Sequence, residues 1–159
     1  MLLPYVIAAF ECKQEQDFLG EMFGFLGLSD TWKGQYFTSH HIGGFMVDIN
    51  SYSVESSLTT KEVITVSDSC CGSGCLLIAF ANSLHRKKIN FQKKVFFFAQ
   101  DIDLTAALMC YIQLSLLGCI AVVKVGNSLS DPFVENEPIS EKLWFTPMAC
   151  FRNYHINIK

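Results

Sequence analysis

The stretch VITVSDSCCGSG, residues 63–74, decides the fold of this chain. It opens with four β-branched residues, a composition that favours a strand. A polar, glycine-rich segment follows at once, and beyond it a helical pattern of apolar residues continues to about Lys88. A strand, a tight glycine turn and a helix together indicate the first unit of an α/β fold.

The same unit is repeated further along the chain. An apolar run covers Val95 to Ala99, a β-branched run covers Ile120 to Val125, and a helical pattern over about residues 104–117 separates them. Continuous apolar runs joined by helices predict buried parallel strands in βαβαβ order. Because crossover connections are right-handed, we expect both helices on one face of a sheet of about three parallel strands.

The residues before this core predict helices and a loop. Within residues 14–28 the apolar side chains recur at helical spacing, with Gly27 near the end as a stop signal. An apolar stretch that reaches Val47 suits a short helix, whereas residues 50–61, rich in serine and threonine, indicate a surface loop. We therefore expect an N-terminal helical segment over residues 1–62.

The residues after the core are expected to cover the sheet. We take residues 63–130 as the βαβαβ core and residues 131–159 as an aromatic tail that packs on it, the whole chain forming one domain. An uncovered edge strand is a liability. The tail from Leu143 to Asn157 should therefore add to the sheet as a strand, or a second chain should cover it. The alternation in His155 to Lys159 suits an edge strand.

Composition limits the classes of protein to which the chain can belong. Half of its 159 residues are hydrophobic, 17% are charged and the formal net charge is −3, so the chain can fill a core but has no overall basic excess. Contact with DNA must therefore be made by another part or another protein, or by a few clustered basic residues. Arg86-Lys87-Lys88 and Lys93-Lys94 are such clusters, and they either form a solvated helix end or contact phosphate.

The N-terminus and the cysteines favour the cytoplasm. The apolar N-terminus lacks a positive region and stops at Glu11, unlike a signal peptide, and no run reaches the ~18 apolar residues of a membrane helix. Seven cysteines without a framework spacing indicate reduced thiols. A zinc site at Cys70, Cys71 and Cys75 lacks a second cysteine pair and a nearby histidine, so we expect no metal.

Polar residues follow each predicted strand, at the edge where open parallel sheets bind ligands. Gly72 and Gly74 permit a tight turn before a helix whose N–H groups can bind an anion, although an ordinary strand-to-helix turn uses the same glycines. Asp101 and Asp103 both precede a helix, and we predict that Asp103 is the helix cap and that Asp101 accepts from both hydroxyls of a ribose; Asp101 as the cap is the alternative. Asn127 has an amide suited to an adenine edge, or is a turn residue. The sequence thus predicts a nucleoside across the strand ends.

Four motifs in order resemble those of the N6-adenine DNA methylases, especially the modification subunits of type I restriction systems. Residues 68–74, DSCCGSG, look like the D-P-A-C-G-S-G loop of that family, and residues 33–39, KGQYFTS, resemble its G-Q-F-F-T-P motif. Residues 100–103, QDID, are similar to its acidic ribose motif, and residues 126–129, GNSL, to its G-D-S-L. Residues 17–20, DFLG, also look like the helix that precedes the family's F-T-P motif, so the resemblance covers about residues 17–130.

The resemblance implies S-adenosylmethionine as the cofactor and a Rossmann-like methyltransferase fold, here in a truncated form. It places Phe37 and Thr38 beside the methionine part, with the Thr38 hydroxyl near the carboxylate. An aromatic face near a sulfonium also suits a cation–π contact. The residues implied for the rest of the cofactor are Asp68, Cys70, Gly72 and Gly74 at the amino-acid end, Asp101 and Ile102 at the ribose, and Asn127 at the adenine.

Three departures from the family pattern bear on the implied cofactor site. Ser69 and Ser39 replace prolines of the loop and of the F-T-P motif, and Asn127 replaces an aspartate. Asn127 keeps a carbonyl acceptor for the adenine amino group and loses the charge. The implied cofactor site is therefore kept, with one negative charge fewer.

The family's catalytic motif has only a weak counterpart here. Family members carry N-P-P-F or N-P-P-Y after a fourth strand. The asparagine and a backbone carbonyl of that motif accept hydrogen bonds from the amino group of a flipped adenine, and its aromatic residue stacks on the base. The nearest string is Ser130-Asp131-Pro132-Phe133, which makes Asp131, Pro132 and Phe133 the candidate catalytic residues. It follows Asn127 too closely for a strand to intervene, so a proline turn is the preferred interpretation.

Three functions are open on these grounds. The first is a small DNA adenine methyltransferase whose remaining site comes from a second copy or from a restriction-modification-type subunit. The second is a catalytically silent S-adenosylmethionine-binding module. The third is an interaction protein that mimics a modification subunit. DNA is the expected partner of the first, and no membrane partner is expected.

Overall fold

A computed structural model describes residues 3–13, 15–28, 38–134 and 137–152 of the chain. In chain order its elements are α1 (Leu3–Cys12), α2 (Phe18–Phe25), α3 (His40–Thr60), β1 (Ile64–Asp68), α4 (Cys75–Arg86), α5 (Phe91–Lys94), β2 (Val95–Asp101), α6 (Leu104–Leu116), β3 (Ile120–Val125), β4 (Leu143–Phe145) and α7 (Pro147–Phe151). None of the described helices is long and apolar enough to span a membrane.

The sheet is mixed, with its four strands in the order β1-β2-β3-β4. β1, β2 and β3 are parallel, with Ile64 beside Val95 and Phe96 beside Ile120. The prediction of three parallel strands in βαβαβ order is therefore confirmed. β4 pairs antiparallel with β3, so the α/β fold has an added edge strand.

The two crossover helices pack on one face of the sheet, as predicted. Ile78 of α4 and Leu114 of α6 belong to the same apolar cluster as Phe97 of β2. Successive side chains of a strand point to opposite faces. Phe98 and Val122 accordingly belong to a second, smaller cluster on the other face.

The helix predicted within residues 14–28 is confirmed as α2, and Gly27 follows its end with φ of +65°. The prediction of a surface loop over residues 50–61 is wrong, because α3 continues through them to Thr60. Serine and threonine disfavour helix interiors by local effects. However, α3 packs along α4, with Val54 and Leu58 against the core. Tertiary packing of this kind supplies most of the stability of a helix, so it extends α3 beyond its local propensity.

The tail adds a strand to the sheet, as predicted. β4 pairs with residues 122–124 of β3. Just after β4, Thr146 Oγ1 accepts from the Ala121 N–H at 3.0 Å and donates to the Cys119 carbonyl at 2.7 Å. The alternating segment His155 to Lys159, which we expected to form the edge strand, lies outside the described residues.

The chain after β3 covers the second face of the sheet. The Lys124 side chain is 1% exposed, and its Nζ lies 2.9 Å from Asp131 Oδ1 and 2.8 Å from Glu137 Oε1. The Gln100 side chain donates to the Asp131 carbonyl at 2.8 Å and accepts from the Phe133 N–H at 3.2 Å. Two polar side chains of the sheet thus hold this segment in place.

We expect these ion pairs to make stability depend on pH. A hydrogen bond from Lys124 holds the pKa of Asp131 below its ordinary value of 3.8. Burial by itself lowers the pKa of Lys124, but hydrogen bonds to Glu137 and Asp131 raise it above 10.5. The depressed pKa of Asp131 stabilises the fold above pH 3.8, and this contribution is lost as the pH falls through the depressed value. The raised pKa of Lys124 stabilises the fold below pH 10.5, and that contribution is lost as the pH rises through the raised value.

Thermal unfolding measured from about pH 6 down to about pH 2 checks the acid half of this prediction. The Tm of wild type should fall with acid, and Asp131→Asn should remove part of that fall. Glu141→Gln, at an exposed position of the same segment, is the control and should keep the wild-type profile. An acid profile of Asp131→Asn that matches wild type would contradict the role of the pair.

Candidate functional site

The loop after β1 turns tightly into α4. Asp68 Oδ1 accepts from the Cys70 N–H at 3.1 Å, and the Gly74 N–H donates to the Cys71 carbonyl at 2.8 Å. Gly74 precedes α4 with φ of +98°, and a Cβ there would lie 2.9 Å from the Cys110 sulfur. This position requires glycine both for its backbone conformation and for its contact with α6.

Asp101 joins this loop to the end of β2. Its Oδ2 accepts from the Gly72 N–H at 2.8 Å, and its Oδ1 accepts from the Asp103 N–H at 2.9 Å. Asp103 in turn accepts from the N–H groups of Thr105 and Ala106 at the start of α6. The prediction that Asp103 is the helix cap is confirmed. Asp101 lies at the end of β2, and each of its carboxylate oxygens can accept a further hydrogen bond.

The end of β3 meets the same loop. Ser128 Oγ lies 3.9 Å from the sulfur of Cys70, so the segments after β1 and β3 touch across the end of β2. Asn127 is exposed beside them, and its Oδ1 accepts from the Leu129 N–H at 2.9 Å. The structure therefore brings Asp68, Cys70, Gly72, Gly74, Asp101, Ile102 and Asn127 to one edge of the sheet.

Two carboxylates make this edge acidic. Burial raises the pKa of Asp68; the hydrogen bond from the Cys70 N–H opposes this, and the nearby charge of Asp101 raises the pKa further. Ionised Asp68 is thus less favourable here than in water, and a cation bound beside it would lower its pKa again. The electrostatics of the edge suit a ligand that carries a positive charge.

The buried cysteines near the loop are not activated nucleophiles. A hydrogen bond with Cys110 and burial raise the pKa of Cys71, and burial raises the pKa of Cys75 to about 12. Both thiols stay protonated at neutral pH and act as small apolar groups. All seven cysteines are free, and in the described part of the chain no group of three or more His, Cys, Asp or Glu could hold a metal ion.

A buried polar network, to which the sequence analysis gave no role, holds the loop from behind. The Asp17 carboxylate, in a residue 1% exposed, accepts from the Ser73 hydroxyl and from the Gly20 N–H. Gln113 of α6 donates to Asp17 Oδ1 at 2.7 Å and to the Ser73 carbonyl at 2.9 Å. α2, α6 and the glycine loop are thereby connected. The one signal in the sequence is an aspartate three residues before Gly20, the position of a helix N-cap.

Of the two residues that the resemblance places beside the methionine part of the cofactor, the structure describes only Thr38. Phe37 lies outside the described residues. Thr38 is exposed and directly precedes Ser39, the N-cap of α3. A role for these two residues in binding stays a prediction.

The Asp131 to Phe133 segment packs on the face of the sheet away from α4 and α6. Lys124 Nζ bonds to the Asp131 carboxylate at 2.9 Å and to the Pro132 carbonyl at 3.2 Å. The ring centroid of Phe133 lies 3.8 Å from that of Phe98. All three residues take part in covering the sheet, and a catalytic role for them stays a prediction.

The fold and the site together define an α/β domain with a glycine loop and acidic residues at the carboxyl ends of its parallel strands. Among protein-family models, the one described as N-6 DNA Methylase matches residues 14–145. The chain belongs to the N6-adenine DNA methyltransferase family. No curated protein matches the chain, and no solved structure matches it.

Proposed function

We propose that the chain binds S-adenosylmethionine at the carboxyl ends of β1, β2 and β3, as the cofactor-binding part of a DNA adenine methyltransferase with a Rossmann-like fold. The observation that carries this proposal is the Asp101 carboxylate. It bonds to the Gly72 N–H of the glycine loop at 2.8 Å and stays partly exposed at the end of β2. Open α/β sheets bind nucleotides at this end of their strands.

The amino-acid end of the cofactor fits the glycine loop. α4 begins at Cys75 without a side-chain cap, so its first N–H groups can bind a carboxylate. The Asp68 carboxylate would pair with the ammonium group of the cofactor. The positive charge of that group would offset the cost of burying the ionised carboxylate. One loop, which includes Cys70, Gly72 and Gly74, thus offers partners for both charges of the amino acid.

The nucleoside end fits the ends of β2 and β3. Each Asp101 oxygen accepts one backbone N–H and retains a lone pair for a ribose hydroxyl. Ile102, 69% exposed, offers an apolar surface beside it. Asn127 Oδ1 has a second lone pair for the adenine amino group. The bound cofactor supplies the methyl group, and these residues bind and orient it.

Calorimetric titration with S-adenosylhomocysteine, the demethylated product, tests the proposal. Wild type should bind it, and Asp101→Ala should bind at least about tenfold more weakly, because each hydrogen bond to a charged acceptor contributes about 1.5–3 kcal/mol. Equal affinity of the two proteins would show that Asp101 does not hold the ribose.

Asp103→Ala is the matched control for this titration. It removes the cap of α6 and should lower stability by about 1 kcal/mol. Its affinity for S-adenosylhomocysteine should match wild type, because the Asp103 side chain bonds to α6 and not to the loop. An equal loss of affinity in both variants would assign the effect to α6 and not to the ribose.

The chain alone should transfer no, or barely detectable, methyl groups to DNA. Its sequence lacks an N-P-P-F or N-P-P-Y motif and its net charge is −3, so it offers neither the family's adenine contacts nor a strong attraction for DNA. Labelled cofactor and an adenine-containing duplex measure this. Robust incorporation that is lost in Asp131→Ala and Phe133→Ala would instead make those residues the active site.

DNA is the proposed substrate, and a second copy or a restriction-modification-type subunit would contribute the base-binding residues. We place this activity in the cytoplasm, where the seven free cysteines would stay reduced. Adding a candidate subunit to the methyl-transfer assay tests for this completion.

A further inference from the structure

β1 is an edge of the sheet, and its outer side is unpaired. The strand order is β1-β2-β3-β4, and among the described strands only β2 pairs with β1. Sheets protect such edges with short strands, prolines, bulges or charged side chains. The opposite edge, β4, is only 3 residues long, whereas β1 has 5 residues, of which none is proline and only the last, Asp68, is charged. The β1 edge is therefore open to another strand.

The hydrogen bonds of the sheet show which residues of β2 bond to β1. Asp101 lies beside Val125, and its carbonyl accepts from the N–H of the next residue, Gly126. Asp101 and the alternate residues before it therefore bond to β3. The residues between them, Phe96 and Phe98 among them, bond to β1 on the other side.

Two residues of β1 consequently direct their backbone polar groups outward. Phe96 and Phe98 lie directly beside Thr65 and Ser67. In a parallel pair a residue bonds to the residues that flank its direct neighbour, so the bonds of β2 go to the residues on either side of Thr65 and Ser67. The N–H and C=O groups of Thr65 and Ser67 thus point away from β2, and both residues are exposed.

A groove of about 310 Å³ runs beside this edge. It lies between β1 and the second half of α3, and Phe80 of α4 also lines it. Val54 and Val66 give it apolar walls, and the exposed Lys61 lines it together with Ile64. A strand that adds to β1 would place alternate side chains in this groove.

β1 is complementary to itself in the antiparallel orientation. With a two-fold axis at Val66, Thr65 lies opposite Ser67 of the second copy, and each of these pairs can exchange two backbone hydrogen bonds. The Thr65 and Ser67 side chains can also bond to each other, and the two Val66 side chains meet between them on the side of the groove. The outward backbone groups of both residues would thus be satisfied.

The charges at the edge match those of a second copy as well. In the same register, Ile64 lies opposite Asp68 of the second copy. Lys61 lines the groove together with Ile64, so its ammonium group can reach that carboxylate, and the two-fold axis repeats the pair. A carboxylate has about four acceptor sites, so this ion pair leaves room for the ammonium group of a bound cofactor.

We propose that two copies of this chain pair through β1, antiparallel and about a two-fold axis at Val66. The two four-stranded sheets then form one continuous sheet. One pair of short strands makes a small interface, so the dimer is weak and its population depends on the protein concentration. Because the pairing uses the β1 edge of both copies, assembly stops at the dimer.

Sedimentation equilibrium of the full chain from about 10 μM to about 1 mM measures the assembly. The average mass should rise with concentration towards twice that of one chain. Hydrogen exchange followed by NMR then locates the interface. The Thr65 and Ser67 amides should become protected as the dimer forms, whereas the Val66 amide, which bonds to β2, should be protected throughout. A chain that stays monomeric at about 1 mM, or that forms larger assemblies, overturns the proposal.

Thr65→Pro should weaken the dimer at least about tenfold and leave the fold intact, because an edge strand tolerates proline where its N–H faces solvent. Thr65→Ala is the matched control, since it keeps the N–H and should dimerise nearly as wild type does. Val66→Pro removes an N–H that bonds to β2, so it should lower the Tm. A folded Thr65→Pro variant with the dissociation constant of wild type overturns the proposal.

Lys61→Glu tests the register without a change in β1. It brings a negative charge to Asp68 of the second copy, so it should weaken the dimer about fivefold, and salt should reduce this effect. Lys88→Glu is the matched control, because Lys88 is exposed and does not line the groove. It should leave the dissociation constant unchanged. Equal effects of the two variants would assign the loss to net charge and overturn the proposed register.

Discussion

Gly20→Ala should destabilise the protein by about 3 kcal/mol or more. A Cβ at this position would overlap both the Asp17 carboxylate and the Ser73 hydroxyl, which are bonded to each other. One of these groups must move, and the Asp17 charge would then be left buried with fewer partners. Hydrogen bonds to a charged acceptor contribute about 1.5–3 kcal/mol each, and the added Cβ disturbs those from Gly20 and Ser73.

Gly24→Ala in the same helix is the matched control. A Cβ at Gly24 meets nothing within 4 Å, so alanine should stabilise α2 by about 0.5–1 kcal/mol through its better helix propensity. Unfolding in urea measures both variants. The two substitutions should change the free energy of unfolding in opposite directions. Two equal effects would show that the network around Asp17 does not hold α2 in place.

Removal of the residues after Asp131 should have the second large effect. β4 and α7 cover β3, and Leu143, Thr146 and Ala149 are buried there. Burial of one leucine side chain contributes about 1.5–3 kcal/mol. With the hydrogen bonds of Thr146, the total loss approaches the whole stability of a small domain, about 5–15 kcal/mol. β3 would also become an open edge that can pair with other chains.

Light scattering and circular dichroism on a variant that ends at Asp131 measure this effect. We expect an unfolded or aggregated protein, in contrast to the full chain. A shortened form that stays soluble, folded and monomeric would show that the tail does not stabilise the sheet.

Thr146→Val isolates the hydrogen-bond part of that effect. Valine keeps the shape of the side chain but leaves the Ala121 N–H without the bond it makes to Oγ1, and the Cys119 carbonyl without its donor. Buried unpaired groups cost about 1–3 kcal/mol each. Thr146→Ser keeps the hydroxyl and should recover much of the loss. A valine variant as stable as wild type would contradict the role of Oγ1.

The parallel core and its ligand edge could be predicted from local sequence patterns. Residues 63–66 and 120–123 are rich in β-branched residues and residues 95–99 are a continuous apolar run, and both patterns are local properties of neighbouring residues. Asp68, Asp101 and Asn127 come to one edge because the strands that precede them are parallel. Family membership, shown by the match over residues 14–145, was likewise predicted from motifs in their order along the chain.

The length of α3 and the support behind the glycine loop depend on contacts between residues that are distant in the chain. Residues 50–60 have the composition of a loop, yet they are helical because Val54 and Leu58 pack against the core. Asp17 and Gln113 are 96 residues apart in the chain, so no local sequence pattern could predict their hydrogen bond.

The tail and the buried lysine were also decided by tertiary structure. Leu143–Phe145 is too short to show a strand period, and it becomes β4 because β3 offers it an unpaired edge. Lys124 is buried within β3 because the chain after that strand brings Asp131 and Glu137 to it. Local propensity depends on neighbouring residues, whereas strand pairing and ion pairing depend on which distant groups the fold brings within reach.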